Sequence, residues 1–122
     1  MTVKNSWIIA DAMIPAASTG EQVSHESLCV LNTGSAAGLL TVEAYFADRA
    51  PLIGDPVPVA AQRCVHLRTD EPNVLGGVAI PRGVPYGLVL RTEGDLHVQY
   101  SRLDTTQEAY ALMTVQPHPV HA

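Results

Sequence analysis

Between Leu40 and Phe46 the chain alternates: Leu40, Val42, Ala44 and Phe46 fall on one side, and Thr41, Glu43 and Tyr45 on the other. This period of two marks a strand with one face in a core. Around Cys29 the pattern changes, because Leu28 and Val30 on one face and Cys29 and Leu31 on the other are all apolar. That predicts a central strand covered on both sides, a second copy of the chain being one such cover. Short apolar runs of this kind predict strands over 6–11, 24–31, 39–46, 56–60, 63–68, 76–80, 87–92, 96–103 and 109–115. No window sustains helical spacing over three turns, apart from a weak case near the C-terminus.

Turn chemistry separates the runs. Asn32-Thr33-Gly34 and Glu93-Gly94-Asp95 supply residues that accept positive φ, the second predicting a hairpin, while Arg49-Ala50-Pro51 forces a turning backbone. Many short strands without helices between them predict an all-β fold, a single antiparallel β-sandwich or jelly-roll-like domain spanning residues 1–122. No internal repeat, linker or low-complexity tract interrupts it. The Pro- and His-bearing tail from about residue 116 is expected to be loose.

Composition narrows the function classes. With 47% hydrophobic and 16% charged residues the chain is expected to fold unaided rather than remain disordered. Few of its residues are aromatic, so the core must be aliphatic and self-association is one way to bury more of it. A net charge of -5 with no run of Lys and Arg speaks against nucleic-acid binding. The apolar stretch Trp7 to Ala10 is too short for a signal peptide or a membrane span, so a cytoplasmic protein that is not membrane-embedded is expected. Cys29 and Cys64 are then expected to be reduced thiols, although their spacing does not exclude a bridge.

Three polar clusters stand out as candidate chemistry. In the first, His25-Glu26 followed by Asn32, the adjacent His and Glu point to opposite faces of a strand, so either they form a solvated strand start or one of them orients a polar ligand. The second runs from Gln99 through Tyr100 and Arg102 to Asp104, with the last three sharing a face; Arg102 and Asp104 suit sugar hydroxyls, carboxylates or phosphates, or else a structural ion pair with an adjoining strand. The third, Arg63, His66 and Arg68, puts His66 and Arg68 on one face with Gln62 and Cys64, a basic face suited to an anion, a partner carboxylate or a solvated edge. Nucleophile elbows, phosphate-cradling Gly loops, CxxC pairs and HExxH are absent, so no enzyme and no cofactor is expected. The alternative is a cupin-like metal-assisted isomerase or hydrolase using His25, Glu26, His66 or His97, but the chain lacks the His-x-His that cupins place on one strand.

The order of short motifs resembles the sensory rhodopsin transducer family from about Trp7 to Thr114. The residues that carry the resemblance are Trp7 with Ile14-Pro15, Ser24-His25-Glu26 leading to Cys29 and Leu31-Asn32, Tyr45-Phe46 with Asp48, Pro58 to His66, Gln99, Arg102-Leu103-Asp104 and Ala111-Leu112. The resemblance implies a homotetramer of β-sandwich subunits, a sensory rhodopsin as protein partner in some organisms, and a pocket for a small polar ligand such as a sugar. His25, Glu26, Asn32, Tyr45, His66, Gln99, Arg102 and Asp104 are the expected ligand-binding residues. The chain departs from the family pattern at Ala12-Met13, Ala47 and Tyr110, and the first departure touches the loop beside the expected pocket.

Overall fold

A computed structural model describes residues 4–121. Strands β1 (Lys4–Ala12), β2 (His25–Asn32), β3 (Gly38–Tyr45), β4 (Leu52–Ile53), β5 (Val57–Val59), β6 (Arg63–Arg68), β7 (Tyr86–Glu93), β8 (Leu96–Asp104), β9 (Ala111–Val115) and β10 (His118–His121) form two antiparallel sheets. The larger runs β10-β1-β7-β3-β4, with β5 also on β3, and the smaller runs β6-β2-β8-β9. Their facing surfaces make the core of a β-sandwich, as the alternation predicts.

That alternation holds residue by residue. Leu40, Val42 and Ala44 of β3, Leu88 and Leu90 of β7, Leu28 and Val30 of β2, and Val98 and Tyr100 of β8 are buried between the sheets, with Phe46 packed against them. The aliphatic core is accordingly dense in Leu, Val and Ile.

Three expectations need correction. The apolar run at 76–80 is not a strand: Gly76 and Gly77 adopt φ values of 69° and 95°, which break an extended backbone, and Val78 and Ile80 instead plug the core from a loop. Glu93-Gly94-Asp95 is not a hairpin within one sheet. Gly94, at φ 102°, turns the chain from β7 in the larger sheet to β8 in the smaller. The tail expected to be loose pairs with β1 through β10, with Ser6 opposite Val120 and Trp7 opposite Pro119; Ala122 lies outside the described residues. Pro119 is tolerated because β10 is an edge strand and one of its sides has no ladder to lose. As expected, β2 is central, between β6 and β8; within this chain the face bearing Cys29 and Leu31 is open, with Leu31 44% exposed, so a cover there has to come from outside the chain. The pattern missed the two-residue β4 and a short 3-10 helix at Pro72–Val74, both below the length that periodicity resolves.

Candidate functional site

The smaller sheet has two unlike faces, and strand parity assigns each side chain to one of them. On the core face, Glu26 of β2 lies opposite Arg102 of β8. Its carboxylate is fully buried and surrounded by donors: the Tyr86 hydroxyl to Oε1, and the Tyr100 hydroxyl, the Arg102 Nε (3.2 Å) and the Met13 backbone N–H (3.1 Å) to Oε2. The Met13 amide reaches inward because β1 slips register between Ile9 and Ala12, freeing the chain to bend there. Burial, with Glu26 alongside, raises the Tyr86 pKa, so the phenol stays protonated and donating. Arg102 also donates to the Tyr100 hydroxyl at 3.2 Å. Both oxygens of the Glu26 carboxylate are engaged by the protein itself, and no fully buried side-chain N or O among the described residues lacks a partner, which makes the cluster a lock between sheets.

Asn32 is spent in the same way. Its amide nitrogen donates to the Ala36 and Val59 carbonyls (3.0 Å each) and its oxygen accepts from the Gly34 N–H (2.9 Å), stapling the β2–β3 turn to β5. Asp104 accepts from the Thr106 N–H and hydroxyl at the end of β8, and these bonds hold its carboxyl below the usual range. Tyr45 sits on the outer face of the other sheet and donates to Glu43 at 2.7 Å. The Arg91 guanidinium, 2.6 Å from Glu43, keeps that carboxyl low.

The outer face of the smaller sheet is different. Register places His66, Cys29 and Gln99 in one row across β6, β2 and β8; Cys64, Leu31 and His97 in the next; and Ser27, Ser101 and Thr114 across β2, β8 and β9 on the other side. With His25 at one end, and Trp7, Leu112 and Gln116 at the rim, these side chains line a groove of about 710 Å³, within the roughly 300–1,000 Å³ typical of small-ligand sites. Burial raises the Cys29 pKa, aided by the neighbouring Cys64 and opposed by a hydrogen bond with Ser101, so this thiol stays neutral. Both cysteines are free thiols. His25 Nδ1 lies 2.8 Å from the Val23 carbonyl, which can only accept, so Nδ1 carries the hydrogen and Nε2 is left for other contacts.

Of the expected site residues, the structure therefore brings His25, His66 and Gln99 together in the groove. Glu26, Arg102 and Asn32 are turned to the core side, Asp104 caps a turn, and Tyr45 belongs to the other sheet. The cupin-like arrangement loses its carboxylate for the same reason, since Glu26 faces away from His25, His66 and His97. Among the described residues no group of three or more His, Cys, Asp and Glu is placed to hold a metal ion. Sequence reasoning did not place Ser27, Cys29, Cys64, Ser101 and Thr114 in a candidate site, and named His97 only for the cupin-like alternative. Their signal lies in strand parity: Ser27 and Cys29 on β2, Cys64 and His66 on β6, and His97, Gln99 and Ser101 on β8 alternate with core residues.

Arg68 shares the parity of His66 but is bound to Asp70 through two hydrogen bonds (2.9 and 2.7 Å), and Asp70 also binds Arg82. Arg63 folds back on the Ala61 and Gln62 carbonyls. Of the basic cluster expected on β6, His66 lines the groove and the two arginines do not. No helix among the described residues is long and apolar enough to cross a membrane.

Comparison with known proteins agrees with this architecture. The crystal structure of Thermotoga maritima 1070 superposes with a TM-score of 0.82 at 32% identity, covering 93% of this chain and 92% of that one. The Anabaena sensory rhodopsin transducer superposes with a TM-score of 0.70 at 28% identity, covering 85% and 91% respectively. No curated protein matches the chain. The family described as Anabaena sensory rhodopsin transducer matches residues 2–119, and the chain belongs to that family.

Proposed function

We propose that the protein is a non-enzymatic sensing or signal-transduction module that binds a small polar ligand, such as a sugar, in the groove on the smaller sheet and relays that event to a protein partner. The observation that carries this reading is the groove itself. It combines hydrogen-bonding groups at strand spacing (Ser27, Gln99, Ser101, Thr114) with apolar surface from Leu31, Leu112 and Trp7, the mixture a sugar's hydroxyls and C–H faces require. Family membership supports the relay role, with a sensory rhodopsin as one candidate partner and the cytoplasm as the site of action. A homotetramer is part of the same proposal: β9 is an edge strand without charge or proline, and Leu112 on it is 72% exposed, surface that self-association would cover.

Thermal unfolding in the presence of a panel of sugars tests the ligand. A ligand that binds only the native state raises the midpoint by mass action, and at least one member of the panel is expected to do so. A flat response across the panel contradicts the reading.

A further inference from the structure

Three of the chain's five histidines (His25, His66 and His97) line this one groove, whereas none of its 12 acidic residues does. In a protein of net charge -5, a groove with imidazole N–H donors and no carboxylate is a place where an anion meets little repulsion. We infer that the ligand carries an anionic group, a phosphate or a carboxylate on a sugar-sized molecule, and that His66 receives it. This rests on the groove being the ligand site, as proposed above, and specifies the chemistry of what enters.

Of the three imidazoles, His25 is held at Nδ1 by the Val23 carbonyl and His97 Nε2 lies beside the Thr33 hydroxyl, which leaves His66 as the one with no hydrogen bond to the described residues. On its own strand, Cys64 and Arg68 share its face; Arg68 is tied to Asp70 through Nε and one terminal nitrogen and does not line the groove. Directly opposite on β2 stands Cys29, whose thiol is kept neutral by burial and by Cys64 nearby. From β8 the face presents His97, Gln99 and Ser101, and from β9 Leu112 and Thr114, with no carboxylate among them. Thr33, which contacts His97 Nε2 at 3.5 Å, is likewise neutral. His66 and Gln99 flank Cys29 one strand away on each side, so they are about two strand spacings, roughly 10 Å, apart. An acid group at His66 therefore leaves the ring of the same molecule over Cys29, with its hydroxyls toward Gln99, Ser27 and Ser101.

Calorimetric titrations with glucose, glucuronate and glucose 6-phosphate in a buffer free of phosphate test this inference. The expected result is that both acids bind while glucose is on the order of tenfold weaker, the worth of one charge-assisted hydrogen bond. His66→Gln should bring both acids down to the level of glucose while unfolding at the wild-type midpoint. Glucose binding as well as the two acids overturns the anionic inference and leaves the ligand reading standing. No binding by any of the three overturns this inference, and together with a flat response across the sugar panel overturns both. An undiminished preference for the acids in His66→Gln overturns the assignment to His66.

Discussion

His25 and Glu26 are neighbours in sequence, yet they belong to different worlds: Glu26 is sealed between the sheets by two tyrosines, an arginine and a backbone amide, while His25 opens onto the groove. The core side of the smaller sheet holds the Glu26–Arg102 pair and Asn32, and satisfies the Glu26 carboxylate and the Asn32 amide internally. The outer side collects weaker polar groups (imidazoles, hydroxyls, thiols and a carboxamide) and leaves them facing open space. The contrast shows that a conspicuous charged residue in a small β-sandwich is as readily a structural lock as a binding group. What distinguishes the two is the face on which it stands.

The contrast can be broken from the core side first. Glu26→Ala should cost about 3–5 kcal/mol, because it leaves Arg102 and two tyrosine hydroxyls without their acceptor in a site closed to water; denaturant unfolding measures it. Asn32→Ala should cost about 2 kcal/mol, since three backbone groups of the β2–β3 turn and β5 lose their partner. Tyr86→Phe should cost about 1–2 kcal/mol near neutrality and also change the alkaline limb of the stability profile. In the folded protein the Tyr86 pKa is raised, so its contribution is complete below the unfolded value of about 10 and is lost as pH rises through the folded value. Wild-type stability should therefore decline above about pH 10 more steeply than that of Tyr86→Phe. On the groove side, Gln99→Ala and Ser101→Ala should change stability by no more than about 0.5 kcal/mol, as expected for residues at an open surface.

Much of the fold could be read from the sequence because it depends on periodicity. Leu40, Val42 and Ala44 are buried where the alternation puts them, and β2 is central as its apolar run implies. What escaped depends on pairing between distant segments. Nothing local in Glu93-Gly94-Asp95 says that the strands it joins lie in different sheets, and nothing in the Pro-rich tail says that the free edge of β1 waits for it. The same limit governed the site. Charge and local density drew attention to Glu26, Arg102 and Asp104, whereas the groove assembles two to four modest residues from each of β2, β6, β8 and β9, and only register brings them together. Opposite faces for His25 and Glu26 followed from strand geometry, but which face was sealed did not.

The most direct test of the division between a closed core face and a binding outer face is an amide chemical-shift titration with the sugars and sugar acids named above. The account predicts that the perturbed residues cluster at His25, Ser27 and Cys29 on β2, Cys64 and His66 on β6, and Gln99 and Ser101 on β8. Perturbations confined to the outer face of the larger sheet around Tyr45 and Arg91, or to the Asp104 turn, would contradict it.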